Sequence, residues 1–274
     1  MTRLPYGKWG ETTLQQRFIT VDGNQVSYWA GKHRAHLPTL LLVHGITGDH
    51  NGLIPLAYEL YDEANIILLE LPGHGNSERQ PLRNAHDFQV WFDHTFVALS
   101  ESFPVIDWII AHSFGCSGVI KTRRAKVILL CPVPTPSSLY RQYAWIVMRL
   151  APLWAFFYSW KIFVWLRGAA LRKVHSLEAS RRIRWAGFQS HASYSQIIYQ
   201  AKLVNIILDP AAFTSVSDRV KLVIAGLEDT TAQQRDSAEL GMVFTGTRIE
   251  FLRGGHLLPI ESPARTAHQI KRIL

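Results

Sequence analysis

The sequence predicts an α/β fold in which helices flank a mostly parallel, twisted sheet. Short, fully apolar runs typical of buried strands alternate along the chain with segments of helical spacing. This alternation is characteristic of a parallel sheet covered on both faces. With 274 residues, 47% of them hydrophobic and 18% charged, the chain is long enough to bury a sizeable core. The same composition excludes a disordered chain, a collagen-like repeat and a coiled coil.

Local patterns predict the individual elements in order. Residues 18–29 predict a β-hairpin around Asp22-Gly23, a dipeptide that favours a two-residue turn. Continuous apolar runs predict strands over residues 39–43, 65–71, 105–111, 126–131 and 220–225, and a last strand covers residues 248–252. Helices are expected over residues 53–60, 87–103, 114–121, 231–240 and 263–273.

A segment of different composition interrupts this pattern after the sixth strand. Residues 134–211 contain ten basic and two acidic residues, which accounts for the whole net charge of +8. They also contain five of the nine tryptophans. We therefore expect a helical cap over residues 134–211, inserted into an α/β core that consists of residues 1–133 and 212–274.

The first half of the predicted cap, residues 140–171, is mostly apolar and aromatic. A membrane-spanning helix needs about 20 consecutive apolar residues. Arg149, Pro152 and Lys161 interrupt this run, so it predicts two amphipathic helices broken near Pro152 rather than a span. Packing within the cap and on the core accounts for most of these side chains. The excess of tryptophan leaves two further interpretations open, an apolar pocket for an acyl chain and contact with a membrane surface.

The strongest motif, Ala111-His112-Ser113-Phe114-Gly115, lies between a predicted strand and a predicted helix. It matches the nucleophile-elbow pattern G-x-S-x-G with alanine in place of the first glycine. Small residues are needed there because the turn is strained and because the strand and the helix pass close together. Such a turn exposes the Ser113 hydroxyl and directs the N–H of Phe114 to the same point. Taken alone, the pattern also fits a small residue in an ordinary tight turn.

Other loops rich in Gly, His or acidic residues also follow predicted strands, at residues 44–48, 72–77, 226–229 and 254–256. In open α/β sheets, ligands bind outside the carboxyl ends of the strands. These loops and Ser113 are therefore expected to meet at one edge of the sheet.

The order Ser113, Asp229, His256 resembles the catalytic triad of α/β-hydrolases, and the sequence is similar to members of that family that carry an inserted helical cap. The resemblance covers about residues 18–274, apart from the cap. It implies that Ser113 is the nucleophile and that His256 accepts its proton and later returns one to the leaving group. It also implies that Asp229 fixes the His256 tautomer and stabilises the imidazolium.

The resemblance further implies an oxyanion hole made by the backbone N–H groups of Ile46 and Phe114. The candidates for lining a substrate pocket are His44, Gly45, His112 and Leu257. The histidines among them also suit a loop-stabilising role, as does His74.

Two acids compete with Asp229 for the role beside His256. Glu228 is its neighbour, and Asp209 lies before a proline that suits a helix exit. The family's G-x-x-D spacing favours Asp229. Three positions depart from the family pattern without removing a catalytic group: Ala111, Cys116 and Glu70. Cys116 is expected inside the helix that follows the elbow, which favours buried packing over a nucleophilic role.

No cofactor and no metal are expected. Two cysteines are too few for a disulfide framework or a cysteine zinc site, and the histidines show neither H-x-x-x-H nor H-E-x-x-H spacing. The first ten residues lack the apolar segment of a secretory signal, which predicts a reduced, cytoplasmic protein. Peripheral attachment to a membrane through the cap is the alternative.

The basic cap has three interpretations, namely a solvated surface, attraction to anionic lipid headgroups, and docking of an acidic carrier protein or an anionic substrate. In having a basic cap over a Ser-His-Asp site, the chain resembles the carrier-protein methyl ester esterases of biotin synthesis. This resemblance bears on the third interpretation. The expected contacts are Arg181, Arg182 and Arg184. Nucleic acid is not expected because no reader motif is present. Nothing in the sequence indicates an oligomeric state.

These observations predict a serine hydrolase that cleaves a small-molecule carboxylic ester through an acyl-enzyme on Ser113, with an apolar acyl group under the cap. Hydrolysis of a thioester, a carrier-protein ester, a lactone or a carbon–carbon bond stays open, as does acyl transfer by the same triad. A non-catalytic binding protein on the same fold is the third class. Epoxide hydrolysis and dehalogenation are disfavoured because relatives with those activities carry Asp at the elbow.

Overall fold

Eight strands form one sheet at the centre of the molecule, as a computed structural model shows for residues 5–133, 149–150, 153, 176–190, 192–207, 218–231 and 246–274. The strands are β1 (Gln15–Val21), β2 (Asn24–Ala30), β3 (Thr39–Val43), β4 (Asn65–Leu69), β5 (Trp108–His112), β6 (Lys126–Leu130), β7 (Val220–Gly226) and β8 (Arg248–Leu252). Their order is β1-β2-β4-β3-β5-β6-β7-β8. The first hairpin and the β2–β4 pair are antiparallel, and every other pair is parallel. The predicted fold class is therefore confirmed.

Helices cover both faces of the sheet. They are α1 (Pro5–Thr13), α2 (Ile54–Leu60), α3 (Ala85–Ser102), α4 (Phe114–Val119), α5 (Leu177–Gln189), α6 (Tyr194–Ile207), α7 (Leu258–Glu261) and α8 (Pro263–Lys271). A short 3-10 helix spans His50–Gly52. Among these helices of the described residues, none is long and apolar enough to cross a membrane.

The apolar strands separate two hydrophobic cores. In β3, Leu41 and Val43 face the core that contains α3 and α4, whereas Leu40 and Leu42 face the core that contains α2 and α8. All five residues of β3 are buried, as expected for a strand covered on both faces. The same holds for β4 and β5, whereas the edge strand β8 is partly exposed. The central strands therefore have no solvent-facing side, and near them only the loops at their ends are available for polar chemistry.

The structure differs from the predicted elements at a few boundaries. Strand β5 begins at Trp108 rather than at residue 105, since Val105 is exposed at 63% and does not belong to the buried run. Directly before the strand, the Asp107 carboxylate accepts a hydrogen bond from the Thr39 backbone N–H at 2.8 Å. Helix α1 was not predicted, and Trp9 anchors it through edge contacts with the rings of Tyr58 and Tyr61. The predicted helices within residues 140–171 and 231–240 lie outside the described residues, apart from residues 149–150, 153 and 231, and so does Asp209.

Two helices of the predicted cap segment, α5 and α6, dock on the loops at the carboxyl edge of the sheet. On α6, the Tyr199 hydroxyl donates to the Gln80 carbonyl at 2.7 Å, and the Gln200 amide donates to the Gly73 carbonyl at 2.9 Å. Gly73 has φ +67°, and a Cβ there would lie 2.2 Å from the Tyr199 ring, so only glycine fits. Directly after α5, Ser190 Oγ donates to an Asp49 carboxylate oxygen at 2.8 Å. Both helices are thus fixed to loops of the core.

Candidate active site

Ser113 lies on the sharp turn between β5 and α4. Its backbone has φ 52° and ψ −117°, a conformation that non-glycine residues rarely adopt and that is found at functional turns. The Ser113 N–H donates to the Leu130 carbonyl at 2.9 Å, which ties the turn to β6. A Cβ on Gly115 would lie 2.7 Å from the His44 carbonyl oxygen, so glycine is required where the helix passes the end of β3. The predicted elbow geometry is present, with Ser113 6% exposed.

His256 follows β8 and reaches the Ser113 hydroxyl. Its Nε2 lies 2.7 Å from Ser113 Oγ, and its Nδ1 lies 2.7 Å from Asp229 Oδ2. A carboxylate can only accept, so Nδ1 carries the proton and donates to Asp229, which leaves Nε2 to accept from the Ser113 hydroxyl. The His256 side chain is 18% exposed, so a reacting molecule can approach this end of the chain of hydrogen bonds.

Asp229 is held in the turn that follows β7. Its N–H donates to the Gly226 carbonyl at 3.2 Å, and its Oδ1 accepts from the Thr231 N–H at 2.8 Å. The Asp229 side chain is only 3% exposed. A Cβ on Gly226 would lie 2.3 Å from the Gly255 carbonyl oxygen, so this glycine permits the close approach of the two loops. The structure therefore brings the carboxylate and the imidazole together from two loops.

The rival acid Glu228 has a different partner. Its Oε2 accepts from the Gly254 N–H at 2.6 Å, and its own N–H donates to the Gly254 carbonyl at 3.0 Å. Glu228 thus links the loops after β7 and β8, and the oxygen that meets the His256 Nδ1 belongs to Asp229. This geometry agrees with the G-x-x-D spacing, which favours Asp229.

Three buried histidines support the surrounding loops. His44 donates from Nδ1 to the Gly45 carbonyl and accepts at Nε2 from the Leu71 N–H, so both of its ring nitrogens have protein partners. His74 uses its Nδ1 and Nε2 in the same way, with Pro72 and Thr47. His44 was a candidate for the substrate pocket, and these hydrogen bonds favour the loop-stabilising role instead.

His112 connects the elbow to the loop of His256. Its Nε2 donates to the His256 carbonyl at 2.7 Å, and its Nδ1 faces Gly45, where an added Cβ would lie 3.0 Å away. Burial, and secondarily the nearby His256, lower the pKa of His112 to about 3. His112 is therefore neutral near pH 7. Its contact with His256 is the hydrogen bond to the His256 backbone carbonyl.

Of the other predicted site residues, Gly45 and Phe114 lie next to Ser113, whereas Leu257 lies in an apolar cluster. A Cβ on Gly45 would lie 3.0 Å from the Ser113 Cβ, so the loop that contains Ile46 passes directly beside the hydroxyl. Phe114 is the first residue of α4, whose first N–H groups have no partner within the helix. Leu257 packs instead against the apolar residues of the small cluster between α5 and α7: Ile183, Ala186 and Ile260.

Two departures from the family pattern have a structural explanation. Glu70 is fully buried and accepts hydrogen bonds from the His50 Nδ1 at 2.6 Å and from the Asn76 N–H at 2.8 Å. Burial alone would raise the pKa of Glu70, but the hydrogen bond and charge of His50 hold it below its ordinary value. Cys116 is fully buried, and burial raises the pKa of its thiol, which agrees with packing rather than nucleophilic chemistry.

One arginine expected to face an anionic partner does not do so. Arg182 is 11% exposed, and its guanidinium donates to the Ile260 and Glu261 carbonyl oxygens at 2.8 and 2.9 Å. That expectation is wrong for Arg182, because a residue in the middle of α5 can turn toward the core and satisfy the carbonyls of α7. Arg181 and Arg184, on either side of it, are exposed.

In the part of the chain that the structure describes, one group of side chains has the spacing of metal ligands: Cys131, Asp229 and His256, with ligand atoms within 4.8 Å of one another. Zinc binds a thiolate. Burial, and secondarily the charge of Asp229, raise the pKa of Cys131 well above its ordinary value, which opposes the thiolate form. We therefore predict that EDTA leaves the rate of ester hydrolysis unchanged. A loss of activity in EDTA that zinc restores would contradict this prediction.

The buried histidines also predict a loss of stability in acid. The folded-state pKa is lowered by burial to about 4 in His44 and His74 and to about 3 in His112, from an ordinary value of 6.5. The unfolded chain therefore binds more protons, so their contribution is complete above about pH 6.5 and is lost as the pH falls toward the folded-state values. At pH 5, each histidine should cost on the order of 2 kcal/mol of unfolding free energy.

Urea unfolding at pH 7.5 and pH 5 measures this effect. The difference between the two midpoints should shrink in the variant His74→Gln, whereas the exposed control His36→Gln should keep it. An equal difference in both variants would show that other groups cause the acid sensitivity.

The eight-stranded sheet, with its polar loops at the carboxyl edge, defines an α/β-hydrolase fold. The chain belongs to the Alpha/beta hydrolase family, whose sequence model matches residues 40–269. Among curated proteins, none matches this sequence at a significant level.

Several solved structures share the fold at low identity. A membrane phospholipase A described as a bacterial virulence factor has a TM-score of 0.71 and 16% identity, covering 96% of this chain and 86% of that chain. An esterase from Thermogutta terrifontis has a TM-score of 0.68 and 20% identity, covering 94% and 97%. A carboxylesterase from Bacillus subtilis has a TM-score of 0.66 and 14% identity, covering 97% and 94%. At these identities, the likeness concerns the fold alone.

Proposed function

We propose that the protein is a serine hydrolase that cleaves a carboxylic ester through an acyl-enzyme on Ser113. The observation that carries this proposal is the continuous chain of hydrogen bonds from Ser113 Oγ through His256 to Asp229, with both heavy-atom distances at 2.7 Å. Hydroxyl, imidazole and carboxylate in this order allow the hydroxyl to lose its proton as it attacks a carbonyl.

In the first half of the reaction, Ser113 Oγ bonds to the ester carbonyl carbon while its proton moves to His256 Nε2. Asp229 stabilises the imidazolium. The tetrahedral intermediate then collapses, the bond to the alcohol oxygen breaks, and His256 gives its proton to that oxygen. In the second half, water attacks the acyl-enzyme with His256 as base, which releases the carboxylic acid and restores the Ser113 hydroxyl.

The oxyanion of the tetrahedral intermediate needs N–H donors, and we assign these to the backbone of Phe114 and Ile46. The position of Phe114 at the start of α4 supports the first assignment, and the contact of Gly45 with Ser113 supports the second. Such a donor typically contributes about 3–4 kcal/mol to transition-state stabilisation.

The acyl group is proposed to be apolar, since residues 140–171 of the predicted cap are mostly apolar and aromatic. A fluorophosphonate probe tests the nucleophile, and p-nitrophenyl esters of increasing chain length test the acyl preference. We expect covalent labelling of Ser113 and a kcat/KM that rises with acyl chain length. Added alcohol should leave the free acid as the main product. Absence of labelling would contradict the hydrolase proposal, and an ester of the added alcohol as the main product would indicate acyl transfer.

The exposed basic residues of α5 also support a proposal about the partner, namely that the acyl group is presented on an acidic carrier protein. Replacing both Arg181 and Arg184 with Glu should lower kcat/KM for an acyl group carried on such a protein by about tenfold. The loss should be smaller at high salt, because exposed charges are already screened within ~8 Å at physiological ionic strength. A short neutral ester should be hydrolysed as before.

Arg182 is left unchanged in this test because it is partly buried and donates to the Ile260 and Glu261 carbonyls. Equal loss on the carrier and the neutral ester would contradict steering. A loss on anionic vesicles but not on the carrier would assign the charge to a lipid surface.

A further inference from the structure

The loop of His256 is held by residues that take no part in the proposed proton transfers. We infer that Glu261 and Arg182 are positioning residues for His256, and that the cap helix α5 reaches the catalytic base through them. This inference rests on the proposed function, because it assigns a role toward the same imidazole.

Glu261 holds the backbone on both sides of His256. Its Oε2 accepts from the Gly255 N–H at 2.8 Å, and its Oε1 accepts from the Leu257 N–H at 3.1 Å. On the opposite side, the His256 carbonyl accepts from His112 at 2.7 Å. Charge-assisted hydrogen bonds of this kind are stronger than neutral ones. One carboxylate therefore binds the peptide N–H groups before and after His256 and positions the backbone that carries its ring.

Arg182 fixes Glu261 in turn. The guanidinium donates through Nε to the Ile260 carbonyl and through Nη2 to the Glu261 carbonyl, which belong to the short helix α7. Carbonyls at a helix end have no partner within the helix, and the partly buried guanidinium of Arg182 supplies donors to them. Nη1 meets the Glu178 carboxylate at 2.5 Å, which orients the guanidinium from within α5.

Helix α5 also contacts the loop after β3, which contains the proposed oxyanion donor Ile46. Ser190, at the end of α5, donates to Asp49, whose carboxylate also accepts from the Asn51 N–H. Asp49 lies three residues after Ile46 in the loop beside Ser113. Helix α5 therefore joins the loop of the base to the loop of the proposed oxyanion donor, and Arg182 is its contact with the base.

The expected consequence is a loss of turnover without a loss of binding. A displacement of catalytic groups by about 1 Å can cost 10²-fold in rate. On p-nitrophenyl acetate, Glu261→Gln, which keeps one good acceptor, should lower kcat by about tenfold, and Glu261→Met by about a hundredfold. Arg182→Met should lower kcat by about tenfold, and Arg182→Lys should restore part of that loss. KM should stay within about twofold of the wild-type value.

The matched control is Arg265→Met, which removes one exposed positive charge near the start of α8 and should leave kcat unchanged. Because Arg182 is proposed to act through Glu261, the double variant Arg182→Met/Glu261→Met should be no slower than Glu261→Met alone. The downfield proton resonance of the His256 Nδ1–H should broaden or shift in the Glu261 variants and persist in the control. Thermal unfolding identifies the folded variants on which these comparisons are made.

Fluorophosphonate labelling of the wild type separates the two proposals. If the wild type is not labelled, the proposed hydrolase function fails. If the wild type is labelled and folded Glu261→Gln and Glu261→Met keep its kcat, the positioning role is overturned while the hydrolase stands. A fully additive double variant, or losses confined to KM, would overturn the role of Arg182.

Discussion

Replacing Ser113 with alanine should lower kcat for p-nitrophenyl esters by about 10⁶-fold, the size of loss typical when a serine nucleophile is removed. The substitution deletes the oxygen that lies 2.7 Å from the His256 Nε2 and leaves the rest of the site in place. Serine and alanine both carry a Cβ, so the strained backbone at φ 52° is equally strained in both. The variant should therefore unfold at the same temperature as the wild type, and steady-state kinetics measure the loss.

Ser117→Ala is the matched control for this variant. Ser117 lies one helical turn further along α4, is also buried, and has no contact with His256 among the hydrogen bonds of the described residues. This control should keep turnover near the wild-type rate. Wild-type turnover in a folded Ser113→Ala variant would show that another group attacks the ester.

The arrangement of the site along the sheet is predictable from sequence because the carboxyl ends of parallel strands lie at the same edge of the sheet. Apolar runs locate β3, β5 and β7, the last predicted strand locates β8, and the loop after each strand is then placed at the same edge. Ser113, Asp229 and His256 follow three of those strands, so residues up to 143 positions apart are expected to meet, and they do.

The residues that hold the site are not predictable in this way. Glu261 and Arg182 act through hydrogen bonds to backbone atoms of other loops, and no residue type or spacing marks such partners. Arg182 has exposed arginine neighbours in the sequence. Its position on α5 is what places its guanidinium against the carbonyls of α7. Helix α1 is likewise determined by the packing of Trp9 on α2, a contact between elements rather than a local pattern.

The second large effect is the loss of kcat expected when Asp229, but not its acidic neighbour Glu228, is neutralised. Asp229→Asn should lower kcat by about 10⁴-fold, because an amide can donate to the imidazole nitrogen and favours the wrong tautomer of His256. Asn also cannot stabilise the imidazolium that forms as Ser113 attacks. The variant should keep its fold, since the Oδ1 that accepts from the Thr231 N–H is retained.

Glu228→Gln is the matched control, because it neutralises the adjacent carboxylate by the same single-atom change. The Glu228 carboxylate accepts from the Gly254 N–H and lies 4.0 Å from the exposed Arg253 guanidinium, and a glutamine carbonyl oxygen can still accept from that N–H. We therefore expect kcat within about threefold of the wild type, compared with the roughly 10⁴-fold loss in Asp229→Asn. The ratio of the two rates at pH 7.5 decides the assignment. The reverse ranking would assign the catalytic acid to Glu228 and would require the loop after β7 to rearrange before ester cleavage.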